Sequence, residues 1–262
     1  MAGNANERAR LVRNQHLCMC RTAAATCENL RFVLAAALQY RQRHLDRFSE
    51  LQDSYDRIAD EYCKRIFDEL AHKPLDRQLL QRLANTVKSG PICDVGCGPG
   101  HVARFLKSCE ADVFGIDLSP RMIELARRLT PEIQFFQGNM LSLEVADGSC
   151  GAIAAFYSII HLTPEELPKA FLEFKRVLRP GGTLLLALHV GKETVHEDEL
   201  WGYQVSLDLR FLELREIEEQ LHATGFRVRE TIERETYGED VEYRAGAHTF
   251  SLRNRNLEDE IT

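Results

Sequence analysis

Several features that would assign this chain to other classes of protein are missing from it. No apolar run approaches the roughly 20 residues of a membrane-spanning helix, and the net charge of -7 is opposite in sign to that of most nucleic-acid-binding domains. The eight cysteines are scattered, without the spacing of a disulfide framework or of a zinc site. These absences predict a cytoplasmic protein with reduced thiols, no metal and no membrane segment, and they argue against a nucleic-acid partner.

Acidic residues are rare in only one part of the chain, its first 45 residues. This stretch holds seven arginines against Glu7 and Glu28, a net charge of +5. Such a start is typical of an extension that is helical in part or partly disordered, and a polyanion-binding arm or a targeting segment is the alternative. We therefore divide the chain into a basic extension over 1–45, N-terminal helices over 46–89, a cofactor-binding domain over 90–254 and a tail over 255–262.

The rest of the chain alternates between short apolar runs and amphipathic stretches. The apolar runs predict strands, and apolar residues at three- and four-residue steps predict helices. The predicted strands are 91–95, 112–116, 133–137, 152–157, 183–190, 227–233 and 247–252. The predicted helices are 28–44, 49–72, 75–87, 101–108, 120–129, 164–177 and 213–224. This alternation predicts an α/β fold with a doubly wound, mostly parallel sheet that has helices on both faces.

A glycine-rich turn follows the first predicted strand of the sheet. Asp94 precedes Gly96, Gly98 and Gly100, and His101 stands where the dinucleotide fingerprint has its last glycine. Glycines bring bare amides close to a ligand, but a carboxylate beside them disfavours a pyrophosphate and favours an ammonium group. S-adenosylmethionine carries an ammonium group and no phosphate. The turn therefore favours this cofactor, and a nicotinamide dinucleotide is the distant alternative.

Polar residues follow the next two strands as well. Asp117 ends the second strand, where a carboxylate can accept hydrogen bonds from both ribose hydroxyls. Asn139 and Met140 follow the third strand, where an amide and a thioether can meet the edge and the face of an adenine. Each residue alone is typical of a turn or a cap. Their placement after successive strands favours a ligand that contains a nucleoside.

These segments together resemble the class I S-adenosylmethionine-dependent methyltransferases. The resemblance rests on Asp94 to Gly100, on the segment Gly-Ile-Asp-Leu-Ser-Pro with Met122, and on Arg-Pro-Gly-Gly at 179–182, in the order that the family requires. It covers residues 50–253 and implies a Rossmann-like, seven-stranded sheet with six parallel strands and one antiparallel strand.

The resemblance also implies roles for the cofactor-binding residues of this chain. The methionine part of the cofactor would be held by Asp94, Gly96, Cys97, Gly98 and Gly100. Asp117 would hold the ribose, Leu118 and Met122 would pack on the adenine, Asn139 and Met140 would read its edge, and Phe156 would line the site. Many members have an acid in place of Asn139, whose carbonyl oxygen can still accept a hydrogen bond from the adenine amino group.

Candidate residues outside the glycine turn lie on a helix and at two strand ends. The helix that carries Tyr55 and Tyr62 resembles the N-terminal lid helix of small-molecule members, which implies that one tyrosine reaches the cofactor's carboxylate, although both also fit the core of an amphipathic helix. His161 follows the fourth predicted strand, and His189 lies at the end of the fifth. Ligands of open α/β sheets bind at that edge, so these histidines are the candidate catalytic residues.

The segment 191–210, between the fifth strand and the next helix, is rich in acidic residues. It carries His196, Glu197, Glu199, Trp201 and Tyr203. The segment predicts either a solvated acidic loop or an acceptor lid in which Trp201 forms a wall and the acids favour a basic or amine acceptor.

The leading hypothesis is methyl transfer from S-adenosylmethionine to an O, N, S or activated C atom of a small-molecule acceptor by in-line displacement, with S-adenosylhomocysteine as product. One alternative is an RNA or protein methyltransferase recruited by the basic residues 1–45. Another is a non-catalytic S-adenosylmethionine-binding protein. The sequence leaves open the acceptor, the use of a general base, the role of residues 1–45 and the oligomeric state.

Overall fold

A computed structural model describes residues 46–234, residue 237 and the backbone of residues 247–254. The chain divides into two compact units, residues 1–50 and 51–262. Of the first unit the structure describes residues 46–50, which are helical. The predictions for the basic extension over 1–45, the helix over 28–44 and the tail over 255–262 lie outside the described residues.

The second unit begins with helices and then alternates between strands and helices. Its first helix, α1, covers residues 51–66, and a short 3-10 turn follows at Glu69–His72. The remaining helices are α2 (Pro74–Thr86), α3 (His101–Ser108), α4 (Pro120–Leu129), α5 (Leu167–Val177) and α6 (Leu214–Ala223). The strands are β1 (Ile92–Val95), β2 (Val113–Asp117), β3 (Gln134–Gln137), β4 (Cys150–Phe156), β5 (Leu178–His189), β6 (Thr194–Leu200), β7 (Tyr203–Arg210), β8 (Phe226–Glu233) and β9 (Ala247–Asn254).

The main sheet has seven strands in the order β3-β2-β1-β4-β5-β9-β8. The five strands from β3 to β5 are parallel to their neighbours, and β9 runs antiparallel to both β5 and β8. Six strands therefore share one direction, which confirms the predicted mostly parallel, doubly wound sheet. Because chain order reverses between β1 and β4, the carboxyl ends of β1 and β4 flank the crevice where ligands of such sheets bind.

The core lies on both faces of this sheet. Every residue of β1 and β4 is buried, as expected for central strands that are covered on both sides. On α3 the buried side chains are Val102, Ala103 and Leu106, which follow the helical period. Burying a side chain of leucine or valine size stabilises the fold by about 1.5–3 kcal/mol. The packed faces leave the strand ends as the place for polar groups.

Helix α4 begins where its capping residues predict. The Ser119 hydroxyl accepts a hydrogen bond from the Met122 N–H at 3.0 Å, and Pro120 occupies the first helical position. A serine cap satisfies an amide that the helix leaves unpaired, and proline at that position lacks the N–H that would need a partner. The helix therefore starts immediately after β2 and fixes the direction of the chain beside Asp117.

Several predicted segments differ from the structure, and one is the helix over 49–72, which ends at residue 66 and is followed by the 3-10 turn Glu69–His72. The strand β5 begins at Leu178 rather than at residue 183, because Leu178 already pairs with Cys150 of β4, before the register irregularity that separates Cys150 from Ala152. Helix α5 begins at Leu167 rather than at residue 164.

In the described part of the chain no helix has the length and apolar character needed to cross a membrane.

The largest difference is the segment 191–210, which is not a loop. The strands β6 and β7 pair antiparallel and form a β-hairpin separate from the main sheet. Its turn consists of Trp201 and Gly202, with φ of +55° and +85°, flanked by the pair Leu200 and Tyr203. Positive φ at both central residues is the geometry of a type I′ turn, whose twist matches that of the two strands.

Candidate active site

The glycine loop after β1 is held by the backbone of the neighbouring strand. The amides of Gly96 and Cys97 both donate to the Ile116 carbonyl oxygen, at 2.7 and 3.1 Å. The three glycines of the loop, Gly96, Gly98 and Gly100, have φ of +72°, +52° and +85°. Side chains other than glycine rarely adopt this left-handed region. The loop therefore needs its glycines for its own shape.

Asp117, at the end of β2, is tied to this loop. Its Oδ2 atom accepts a hydrogen bond from the Gly98 N–H at 2.8 Å, and its Oδ1 atom accepts one from the Ser119 N–H at 2.8 Å. Burial raises the pKa of Asp117 to about 6, although these amide hydrogen bonds oppose the rise. The carboxylate thus lies between the glycine loop and the start of α4, where the ribose of a bound nucleoside is predicted.

Asp94 is buried at the foot of the same loop. Its Oδ2 atom accepts a hydrogen bond from the Ala103 N–H in the first turn of α3, at 3.0 Å. Burial, together with the charge of Asp117, raises the pKa of Asp94 to about 8, although the hydrogen bond opposes the rise. Only about 1% of the residue is exposed. Its contact with the cofactor's ammonium group stays a prediction.

The raised pKa of Asp94 predicts how stability depends on pH. The folded pKa of about 8 lies above the usual value for an aspartate. The stabilisation is therefore complete below about pH 4 and is lost as the pH rises to 8, with a steepest slope of about 1.4 kcal/mol per pH unit. An asparagine does not titrate. The free energy of unfolding of Asp94→Asn, measured in urea and expressed relative to the wild type, is therefore expected to rise progressively from pH 5 to pH 8.

Asp112 provides the control for this experiment, because it is an exposed aspartate just before β2. Asp112→Asn is expected to keep the wild-type slope between pH 5 and pH 8. A difference between wild type and Asp94→Asn that did not change with pH would contradict the assignment of the slope to Asp94.

Helix α1 and the hairpin pack on each other and form what we call the α1–hairpin layer, residues 51–66 and 194–210. Its apolar contacts bring together Ile58, Leu200, Val205 and Leu207. Ser54 adds a polar contact, since its hydroxyl accepts a hydrogen bond from the Ser206 N–H at 2.9 Å. The hairpin therefore buries one side against the helix.

The α1–hairpin layer reaches the glycine loop through aromatic side chains. A Cβ atom at Gly98 would lie 3.7 Å from Cε1 of Tyr62. The Tyr62 ring lies 6.0 Å from the Trp201 ring and 5.7 Å from the Tyr55 ring. Arg65 stacks over the Trp201 ring at 4.8 Å. The Tyr62 ring therefore places flat apolar surface beside Gly98, and the Trp201 and Tyr55 rings pack against Tyr62.

His161 joins the layer to the end of β4. Its Nδ1 atom lies 3.0 Å from the Asp208 carbonyl oxygen on β7, and its Nε2 atom lies 2.7 Å from the Tyr55 hydroxyl on α1. The histidine is buried in the short 3-10 turn Ile159–His161. The structure therefore brings together one predicted catalytic residue and one predicted cofactor-binding residue.

His189, the second predicted catalytic residue, lies in a different environment. Its ring lies 5.0 Å from the Tyr157 ring and 5.5 Å from the Phe211 ring, and both pairs are tilted. The Tyr157 hydroxyl contacts Asp76 at 3.4 Å and accepts a hydrogen bond from Arg234 at 3.0 Å. This second polar cluster joins α2 to the end of β8, and its members carried no motif that sequence reasoning could identify.

The other predicted cofactor-binding side chains are partly in the core. The Cys97 side chain packs in the main core, and Met122 packs against Ala59 of α1. Phe156 is 9% exposed, at the border of that core.

The remaining predicted cofactor-binding residues follow β2 and β3. The Asn139 side-chain oxygen accepts a hydrogen bond from the Leu141 N–H at 2.9 Å. The half-buried Leu118 and Met140 follow β2 and β3. Contact of these residues with the cofactor stays a prediction.

The predicted acceptor-binding residues all lie on the hairpin but differ in exposure. Glu197 is buried, whereas Tyr203 is 40% exposed. The half-exposed His196 contacts Asp208 Oδ1 at 2.8 Å, and this hydrogen bond raises the pKa of His196. Glu199 accepts a weak hydrogen bond from Gln204 at 3.4 Å. Because His196 and Glu199 contact other hairpin side chains, the acidic residues of the hairpin do not by themselves indicate a cationic acceptor.

One further residue of this region, Asp56, was not identified by sequence reasoning. Asp56 on α1 accepts hydrogen bonds from the Ser119 hydroxyl and from the Arg121 N–H. These bonds anchor α1 at the beginning of α4, next to Asp117. The feature of the sequence that could have identified Asp56 is its position next to Tyr55, in the segment that resembles a lid helix.

The residues at these strand ends fit S-adenosylmethionine. Among the described residues, Tyr62 supplies the single side-chain atom within 4 Å of a Cβ position at Gly98, so these residues leave space beside the loop backbone there. Asp117 and Asp94 supply carboxylates at the ends of neighbouring strands. Bare amides, acidic groups and flat rings suit a ligand with a carboxylate, an ammonium group, a ribose and an adenine.

Comparisons with known proteins point in the same direction. The family described as "Methyltransferase domain" matches residues 92–182. Demethylmenaquinone methyltransferase of Chlorobaculum parvum is 30% identical over 143 residues, which are 52% of this chain and 55% of that protein. Malonyl-[acyl-carrier protein] O-methyltransferase of Pectobacterium atrosepticum is 32% identical over 96 residues, 37% of each chain. The chain thus spans about half or less of the length of these curated relatives.

Solved structures share the fold of this chain. The CcbJ methyltransferase from Streptomyces caelestis has a TM-score of 0.62 at 16% identity, covering 78% of this chain and 98% of that one. At such identity the likeness shows the fold alone. Residues 92–182 match a methyltransferase domain, and the strand order and glycine loop around them agree with the fold of the class I S-adenosylmethionine-dependent methyltransferases.

Proposed function

We propose that this protein transfers a methyl group from S-adenosylmethionine to a small-molecule acceptor. The observation that carries the proposal is the joint position of the glycine loop, Asp117 and the Tyr55–His161 pair at the carboxyl ends of the strands. The matched family supports the donor. The names of the relatives above, one acting on demethylmenaquinone and one on malonyl-[acyl-carrier protein], support a low-molecular-weight acceptor group.

S-adenosylmethionine supplies an electrophilic methyl group when it is bound. In the proposed reaction the protein binds and aligns the two reactants. Asp117 accepts hydrogen bonds from the ribose, and the glycine loop holds the methionine part. The rings of Tyr62 and Trp201 exclude water from the loop. Alignment of this kind can supply about 7–11 kcal/mol of the barrier reduction.

The α1–hairpin layer supports a small acceptor rather than a polymer. Ile58, Leu200, Val205 and Leu207 are buried between the helix and the hairpin, so the layer packs closely beside the strand ends. A cover of this kind leaves room for a small molecule more readily than for a folded RNA or protein. The hairpin is therefore assigned to the acceptor side of the site.

A binding and turnover experiment tests the proposal. Calorimetry is expected to show S-adenosylmethionine bound at micromolar concentration, with no comparable binding of NADH. A library of hydroxyl, amine, thiol and carbon acceptors, followed by detection of S-adenosylhomocysteine, is expected to identify at least one small acceptor. Deletion of residues 1–45 is expected to leave that turnover within about threefold, since a small acceptor needs no recruiting arm.

Two results would contradict the proposal. Turnover that required residues 1–45 and occurred only on RNA or protein would favour the recruited-enzyme alternative. Binding of the cofactor without S-adenosylhomocysteine formation in the whole library would favour a non-catalytic binding protein.

A further inference from the structure

Three groups from three separate elements are linked by two hydrogen bonds. The Asp208 carbonyl oxygen belongs to β7, His161 follows β4, and the Tyr55 hydroxyl belongs to α1. The two contacts measure 3.0 and 2.7 Å. Hydrogen bonds in series of this kind hold a ring in one orientation. The arrangement therefore fixes how His161 faces Tyr55.

The partner of Nδ1 determines where the histidine carries its proton. A carbonyl oxygen only accepts hydrogen bonds, so the Nδ1 atom of His161 must be the donor to Asp208. In the neutral imidazole the Nε2 atom is then an acceptor. It follows that the Tyr55 hydroxyl donates to His161, and the lone pairs of the Tyr55 oxygen can accept a further hydrogen bond.

Tyr55 itself remains a phenol. Burial, together with the charge of Asp117, raises its pKa above the usual range. It therefore does not act as a phenolate base, but it can pass its proton to His161 while it receives another. The Tyr55 ring lies 5.7 Å from the Tyr62 ring, whose edge faces Gly98. This position is next to the loop that is assigned to the methyl donor.

We propose that Tyr55 and His161 form a proton relay for the acceptor, and that the acceptor atom is the oxygen of a hydroxyl group. This inference rests on the proposed function and names the acceptor chemistry of the same site. As the new O–CH3 bond forms, the S–CH3 bond breaks and its electron pair stays on sulfur. The acceptor's O–H proton passes to the Tyr55 oxygen, and the Tyr55 proton passes to His161 Nε2. The positive charge of the sulfonium thus ends on the imidazolium, whose Nδ1–H faces the Asp208 carbonyl.

A hydroxyl is the acceptor that needs this relay. Thiols ionise near pH 8.5, and a neutral amine already offers its lone pair, whereas a phenol or alcohol keeps its proton at neutral pH. General-base assistance at such a group accelerates transfer by about 10²–10⁴-fold. The relay would add little to an acceptor that is already ionised.

The competing explanation is that Tyr55 only fastens α1 to its place. Ser54 provides a matched control, because it lies on the same helix and fastens α1 to the hairpin through its hydrogen bonds with the Ser206 backbone. If fastening is the whole role of Tyr55, then Tyr55→Phe and Ser54→Ala should behave alike. If the relay operates, only Tyr55→Phe should depend on the acidity of the acceptor.

The experiment measures methyl transfer to phenols of graded acidity, with simple alcohols, thiols and amines as further probes, by the full-length wild type and both variants. Tyr55→Phe is expected to lower kcat on unactivated phenols by about 100-fold. Its kcat on an acidic nitrophenol, which is ionised at the assay pH, should fall by less than about fivefold because no proton must be removed. KM and the Kd for S-adenosylmethionine should change little. Ser54→Ala should show no dependence on phenol acidity.

Nitrogen NMR of histidine-labelled protein tests the relay without relying on turnover. The His161 signal, assigned by its loss in His161→Gln, is expected to be that of the Nδ1–H tautomer. The Nε2–H tautomer would overturn the relay, because Tyr55 would then accept rather than donate. Equal losses on all phenols, or transfer to thiols or amines alone, would also overturn it while the proposed function stands. Absence of S-adenosylhomocysteine with every acceptor would instead overturn the proposed function, and the relay with it.

Discussion

Gly96→Ala is expected to lower the free energy of unfolding by about 3 kcal/mol or more. A non-glycine residue in the left-handed region costs roughly 1–2 kcal/mol, and Gly96 has φ of +72°. In addition, its new Cβ atom would lie 2.3 Å from the Cβ atom of Ser158. Overpacking of this kind adds about 1–3 kcal/mol because the backbone must move. Urea unfolding at neutral pH measures the loss.

Gly98→Ala is the matched control, two residues further along the same loop. Its φ is +52°, but the nearest atom to its Cβ position is Tyr62 Cε1 at 3.7 Å, an ordinary contact distance. We therefore expect a loss of only about 1 kcal/mol. Both variants should weaken cofactor binding, since both change the loop. Equal losses of stability would show that the contact with Ser158 does not limit the position of the loop.

Local chemistry made the first half of the domain predictable. Helix α3 begins at His101, directly after a glycine with φ of +85°, and α4 begins at Pro120 after the Ser119 cap. Such signals act over a few residues, so the sequence alone specifies them. The sheet followed because short apolar strands alternate with amphipathic helices, a pattern that has few alternative topologies.

The hairpin could not be predicted in the same way. Along β6 the buried positions include Glu197, so the strand lacks the alternation of apolar and polar residues that identifies strands. Its turn places Trp201 at φ of +55°, where glycine, asparagine or aspartate is the usual signal. The packing of the hairpin against α1 stabilises both features. Such tertiary contacts have no local signature in the sequence.

Only the part of the candidate site that is assigned to the methyl donor, S-adenosylmethionine, could be predicted from the sequence. Asp117 and the glycine loop are close in sequence to the strand ends that position them. The Tyr55–His161 contact, by contrast, joins residues that are 106 positions apart. Sequence reasoning assigned Tyr55 to the cofactor and His161 to catalysis, and their hydrogen bond depends on how α1 lies over β4. Neither residue type nor spacing carries that information.

Asp117→Asn is expected to raise the Kd for S-adenosylmethionine by about 100-fold, corresponding to roughly 3 kcal/mol. Both carboxylate oxygens accept hydrogen bonds from backbone amides, Oδ2 from Gly98 and Oδ1 from Ser119. An asparagine offers only one oxygen, so its NH2 group must face one of these N–H donors. The variant therefore loses a charge-assisted hydrogen bond within the loop and an acceptor for the ribose hydroxyls, each worth about 1.5–3 kcal/mol. Calorimetry with S-adenosylmethionine measures the change.

Asp112→Asn distinguishes a local effect from a general effect of charge. Both substitutions remove one negative charge near β2, but Asp112 is exposed at the opposite end of the strand, away from the glycine loop. Asp112→Asn should therefore leave the Kd within about twofold, since exposed charges at that distance are screened by salt. If both variants weakened binding equally, the effect of Asp117→Asn would be explained by the loss of one negative charge and not by the loss of local hydrogen bonds. A Kd unchanged by Asp117→Asn would place the ribose away from β2, because no bound ribose could contact that carboxylate without responding to the loss of one of its oxygens.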